Sequence, residues 1–277
     1  MDTHLKYKKQ VDDLYQLTQI GLKLSKSVNG RQTTEWSHEY ASHIYVKILL
    51  HIISIQRLLP DSNYFERNAP ERVWDIASIS SLTRSVIDAY LTMFYLTFDA
   101  IPEIEHEFRK LLWDYHGEKK RIQQLECIGS KADGLSDVKI LAAQLLEKIK
   151  VNQFYSTLDS SVKKDIRQGK KGIYLTNTAI CKKSEISEKY FKSLFTYLSS
   201  YVHTYPFSLS QISALTKDNS GATQLVSTVL DYLIGFFCQI LKRYSSIFPD
   251  TEAIIEEQKE KIDLWLWVHK EFDVINA

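Results

Sequence analysis

Glycine and proline are scarce in this chain, nine and five in 277 residues, about 5% together against the roughly 12% of an average protein. So few turn formers exclude a sandwich, a barrel or a glycine-looped nucleotide fold, and they favour long helices with few connections. Cysteine is equally thin. Cys127, Cys181 and Cys238 are odd in number and more than fifty residues apart, a pattern that makes neither a zinc site nor a disulfide framework. No metal or other cofactor is expected, and three reduced thiols point to a reducing, cytoplasmic compartment. An excess of charge of one sign is lacking too, with 35 basic against 34 acidic residues and a net charge of +1. Nucleic acid or an anionic membrane therefore has no global field to gather it and must be met by a local patch. The opening MDTHLKYKKQVDDLYQL carries charge throughout and has no apolar core of a signal peptide.

What is present is apolar residue at intervals of three and four almost everywhere, with no long run of period two, which predicts an all-α multi-helix bundle. Helices are expected at about 5–27, 34–59 (capped by Thr33 or Thr34), 70–98 (with Pro70 in its first turn), 103–126, 138–151, 186–203, 223–244 and 250–272. The stretch from Thr223 to Leu241 is the most apolar but contains Asp231, so it reads as a core helix and no membrane partner is expected. VKKDIRQGKKG, 162–172, reads as an exposed basic connection. The simplest organisation is one helical domain over 1–277, with a loop-rich insertion at 127–183 and a peripheral or dimerisation helix at 250–277. That last helix carries Trp265, Trp267 and Phe272, more apolar surface than a peripheral helix should leave wet, and predicts a homodimer.

Chemistry should lie where polar residues interrupt faces that ought to be dry. Ala77, Ser81, Arg84, Asp88 and Thr92 are spaced by four, three, four and four, one narrow stripe of a helix. Arg84 and Asp88 are then a buried pair that either fixes helix register or charges a neighbouring group. Tyr40, His43, Lys47, His51 and Ser54 make a matching stripe on the preceding helix; the histidines, eight apart, are wrongly spaced for one metal. In EFRKLLWDYHGEKKR, Arg109 and His116 are seven apart with Trp113 between them. Two turns separate such α-carbons by about 10.5 Å, within reach of a shared anion. Guanidinium for phosphate, ring for base and imidazole for proton transfer are the parts that hold a nucleotide, and Lys119, Lys120 and Arg121 extend the positive charge. In YLSSYVHTYPFS, Ser199, Ser200 and His203 share the end of an aromatic-rich helix, continuing the stripe of Lys192 and Thr196. Lys163, Lys164, Arg167, Lys170 and Lys171, beside Asp165 alone, are either a solvated connection or a guide for single-stranded RNA.

Together RSVIDAYLTMFYL, FRKLLWDYHGEKKR and YLSSYVHTYPFS resemble a bacterial family of helical proteins of unknown function, with Arg-Ser-x-x-acid, Trp-x-x-His-Gly and Ser-x-x-x-His strings, over roughly residues 35–245. More distantly they resemble the HEPN helical bundles, many of them metal-independent ribonucleases of toxin and phage-defence systems that work as dimers with an Arg-x(4–6)-His motif. Arg109 and His116, with six residues between them, fit that motif; Lys110 stands where those proteins carry Asn, Asp or His. The resemblance implies binding of RNA or a nucleotide and its metal-independent cleavage. Arg109 and Arg84 would neutralise the phosphate, His116 and His203 would act as base and acid, and Asp88 would orient a histidine or Arg84. Trp113, Lys47, His43, His51, Ser199, Ser200, Lys170 and Lys171 would bind substrate. The alternative is a non-catalytic helical module that binds a ligand or a partner protein in a defence or stress system.

Overall fold

The computed structural model describes residues 2–62, 74–129, 134–215 and 219–275. In chain order its α-helices are α1 Thr3–Val28, α2 Trp36–Leu58, α3 Ile76–Met93, α4 Glu103–Cys127, α5 Gly134–Val151, α6 Gln153–Thr157, α7 Ser160–Arg167, α8 Asn177–Lys183, α9 Glu188–Val202, α10 Pro206–Leu215, α11 Asn219–Ile247, α12 Glu252–Glu256 and α13 Lys259–Ile275. No strand occurs among the described residues, and the protein is an all-α multi-helix bundle. The chain divides into two compact units, one of residues 1–97 with 180–277 and the other of 98–179.

In the first unit α11 is the axis. Val226, Val229, Leu230, Leu233, Phe236 and Phe237 are all fully buried, because a helix apolar on every side is stable only when other helices surround it. Helices α1, α3 and α13 pack against it, and α2 and α9 pack on α3. Asp231 is matched by Lys6 at 2.6 Å and by the Gln10 amide at 2.5 Å, which satisfies the one charge on this helix's apolar core. Two glycines permit the close approaches. A Cβ on Gly21 would stand 2.8 Å from Leu49 of α2 and 3.0 Å from Phe237 of α11, and one on Gly235 would stand 2.1 Å from His269 Nε2 of α13. Among the described residues, one helix, 221–247, is long and apolar enough to cross a membrane; its apolar window has mean hydropathy 1.5 and is 72% buried inside the protein, as a core helix is.

The second unit is built on α4 and α5. Lys139 pairs with Glu126 at 2.7 Å, while Asn152 donates to the Ile104 carbonyl at 3.2 Å; the start of α5 therefore meets the end of α4 and its end meets the start, an antiparallel hairpin. Phe108, Leu112, Tyr115, Val138, Ile149 and Ile166 form its core.

Several boundaries differ from the sequence reading for physical reasons. Helix α2 starts at Trp36 after Glu35, which makes no side-chain cap; Thr33 Oγ1 instead accepts from the Glu35 amide. Helix α3 is capped by Asp75, whose carboxylate accepts from the Ser78 amide, and runs on into a π-helical turn at Phe94–Phe98; Pro70 lies outside the described residues. The basic connection is helical over Ser160–Arg167, with Ile166 as its buried anchor. Pro206, just past the helix expected at 186–203, opens α10, since proline is tolerated in a first helical turn. The expected helix at 250–272 is a 3-10 turn at Pro249–Thr251 followed by α12 and α13. The unit 98–179 begins well before residue 127, within the turn ahead of α4.

Candidate nucleic-acid interface

In the unit 98–179, Arg109 is the largest fully buried side chain. Its Nη2 donates to Asp99 Oδ2 at 2.7 Å and to Glu105 Oε1 at 2.5 Å, its Nε donates to Glu105 at 3.0 Å, and Nη2 stands 3.4 Å from the Tyr174 hydroxyl. Tyr174 in turn donates to Glu105, and its pKa is raised by burial and by that carboxylate. Two carboxylates, one guanidinium and one phenol close the group on itself. This corrects the expectation that Arg109 neutralises a phosphate: the fork is already spent on carboxylates, and no part of it meets solvent.

His116, two turns along α4, stands differently. It is half-buried, its Nδ1 lies 3.0 Å from the Gly169 carbonyl oxygen, and its ring packs on Gly172, where a Cβ would come within 2.9 Å. Burial lowers its pKa, the Gly169 hydrogen bond opposes this, and Lys120 lowers it further. Gly169 has φ +69°, and a Cβ there would lie 2.6 Å from Lys119 Cγ. Only glycine serves at such a position. Tyr115 reinforces the seam by donating to the Arg167 carbonyl at 3.0 Å.

The consequence is electrostatic. The 163–171 segment is laid against the C-terminal half of α4 through Arg167, Gly169 and Gly172, which brings Lys119 and Lys120 beside the stretch that carries Lys164, Arg167, Lys170 and Lys171. Lys120, Lys164, Arg167 and Lys170 are exposed and Lys119 and Lys171 half-buried. The opposing carboxylates are weakly placed, Asp165 at 3.6 Å from Lys171 and Glu118 at 3.8 Å from Arg121. Lys163 is turned to the Ser156 carbonyl and the Tyr155 ring. Trp113 is half-buried on α4.

The first unit holds the other predicted residues. Arg84 Nε donates to Asp88 at 3.1 Å, its Nη1 donates to Ser199 Oγ at 2.5 Å, and its guanidinium lies 3.4 Å over the Phe195 ring. Asp88 is 45% exposed, which corrects the expected buried pair: α9 covers the arginine but not the carboxylate. Such a pair contributes at most about 1 kcal/mol rather than several. Burial raises the Asp88 pKa, against the lowering by Arg84 and by Lys47 of α2. The two stripes thus face one another. Lys47 and His43 are exposed, and His51 is half-buried with its Nε2 unpartnered among the described residues; burial, then Lys47, lowers the His51 pKa. Ser199 also donates to the Phe195 carbonyl, and Ser200 to that of Tyr197. His203 is the C-cap of α9, exposed and stacked on Tyr205 at 5.4 Å.

Arg109 and His116 therefore belong to one unit, and Arg84, Asp88 and His203 to the other. Among the described residues no group of three or more His, Cys, Asp or Glu is placed to hold a metal ion. The partners Asp99 and Tyr174, and the roles of Gly169 and Gly172, were absent from the sequence reading; the glycine pair in QGKKG was the available signal. A family model matches residues 38–222, covering α2 to α10 with both polar stripes, α4 and the basic segment, and its description is a family of unknown function, DUF5677. The chain belongs to this DUF5677 family. No curated protein and no solved structure matches the chain.

Proposed function

We propose that this DUF5677 protein is a cytoplasmic, HEPN-like helical protein that binds RNA or a nucleotide through the basic surface of residues 98–179, in a toxin or phage-defence setting. The observation that carries the reading is the seam at Gly169 and Gly172, which merges two basic stretches some fifty residues apart around a half-buried histidine. A cationic strip beside an amphipathic ring is what a phosphate backbone requires. Cleavage by the Arg109–His116 pair is not part of the proposal, because Arg109 is enclosed.

The test is a labelled single-stranded RNA incubated in EDTA with wild type, with His116→Ala and with the double variant Lys170→Ala, Lys171→Ala. Wild type is expected to retain the RNA uncut at low salt, with His116→Ala equal to it and the double variant weaker. Cutting that His116→Ala abolishes would restore the ribonuclease. Absence of retention would instead support the second reading, a ligand- or partner-binding module, which rests on the half-open Arg84–Asp88–Ser199 cluster.

The homodimer belongs to this proposal. Helix α13 packs on α11 and α9 yet leaves Leu264 57% exposed; the side chain of Phe272 lies outside the described residues. A sedimentation mass of twice 32.2 kDa is expected at micromolar concentration, and a strictly monomeric mass would remove the dimer.

A further inference from the structure

A cleft of about 410 Å³ opens between α11, α13 and the turn joining α8 to α9, wholly within the first unit and apart from every residue discussed above as a site. Its charges are unbalanced. Lys242, Arg243 and Lys270 line it against the single carboxylate of Glu185, and that carboxylate meets Lys270 only at 3.5 Å, with both side chains more than 60% exposed. Exposed pairs of this kind are readily exchanged for another partner.

Arg243 is the telling residue. Its Nε donates to the Tyr90 hydroxyl at 3.2 Å, its Nη2 donates to the Ser184 carbonyl at 3.3 Å, and its guanidinium lies 4.8 Å over the Phe94 ring. These contacts fix the fork without neutralising it. No carboxylate among the described residues pairs with Arg243 or Lys242. A half-buried cation held rigid and unneutralised in a concave surface is completed by an anion, and a planar fork suits phosphate. Trp267, 54% exposed at the rim, offers a ring face on which a planar group can stack. The volume lies within the range of small-molecule sites, about 300–1,000 Å³.

We propose that this cleft binds a mononucleotide, with the phosphate held by Arg243, Lys242 and Lys270 and the base stacked on Trp267. Ser246 lines the same cleft; its hydroxyl donates to the Arg243 carbonyl at 2.7 Å, so its oxygen is left to accept from a sugar hydroxyl. The site stands independently of the RNA reading.

The test is calorimetric titration of the full chain with AMP, ribose 5-phosphate and adenosine. AMP is expected to bind saturably, ribose 5-phosphate more weakly and adenosine undetectably. Lys242→Ala should weaken AMP by about tenfold by removing a phosphate contact. Trp267→Leu should weaken AMP by about tenfold and leave ribose 5-phosphate unchanged, because only the stacking is lost. Both side chains sit at the surface of the cleft, so both variants should fold, and an unchanged circular dichroism melt checks this. AMP binding that Lys170→Ala, Lys171→Ala leaves intact separates this site from the basic surface of the other unit. No heat with millimolar AMP, or an affinity unaltered in Lys242→Ala and Trp267→Leu, would overturn the proposal.

Discussion

Arg109→Ala should unfold the helical unit of residues 98–179 under conditions in which the wild type is stable. The substitution takes from Asp99 and Glu105, 6% and 12% exposed, the guanidinium that both carboxylates bind. Removing one partner of a buried ion pair costs about 3–5 kcal/mol, and here one cation serves two anions. That loss is comparable with the whole stability of many domains, about 5–15 kcal/mol. Arg109→Lys should recover only part of it, since a single ammonium cannot reproduce a fork that reaches both carboxylates. Denaturant titration followed by circular dichroism reads the effect. A variant of unaltered stability that has lost RNA retention would show instead that Arg109 meets phosphate.

Acid should destabilise the first unit through His269. The ring is fully buried between Gly235 and Phe236 of α11 and Tyr190 of α9, with Nε2 at 3.1 Å from the Tyr190 hydroxyl and Nδ1 without a partner among the described residues. Burial holds its pKa down to about 3, from the ordinary 6.5. The folded state therefore refuses a proton that the unfolded chain accepts, and stability must fall as the pH drops through the window from 6.5 to about 3. The slope contributed by this one group is about 1.4 kcal/mol per pH unit. His51 and His116, lowered chiefly by burial, add slopes of the same sign. Urea melts at pH 7 and pH 4 should show a loss of several kcal/mol in the wild type, and a clearly smaller one in His269→Leu. Equal losses in both would mean that the imidazole is not held neutral.

The existence of most helices was legible in the sequence because burying one face imposes a 3.6-residue period, and α1, α4, α9 and α11 carry it strongly. Helix α7 was not, since Ile166 alone anchors a stretch otherwise charged, and charge spacing does not mark a face. Pro206 can end one helix or begin the next, and only the packing decides. At the candidate sites, i, i+4 spacing correctly paired Arg84 with Asp88. It could not supply Ser199 and Phe195, which lie more than a hundred residues away. The seven-residue spacing put Arg109 and His116 on one side of α4, yet their environments diverge because Asp99, Glu105 and Tyr174 enclose Arg109, while the backbone at Gly169 and Gly172 leaves His116 half-buried. Which side chains become enclosed is a tertiary property. The merging of Lys119 and Lys120 with residues 163–171 is tertiary for the same reason.

The salt dependence of RNA binding tests the merged basic surface most directly. Binding through phosphates releases counterions, and log K should fall with log salt by about 0.7 for each contact on a single strand. The double variant Lys170→Ala, Lys171→Ala is predicted to give a slope shallower than wild type by about 1.4, whereas Lys242→Ala, on the other unit, should leave the slope unchanged. A slope identical in wild type and the double variant would contradict the assignment of this surface to nucleic acid.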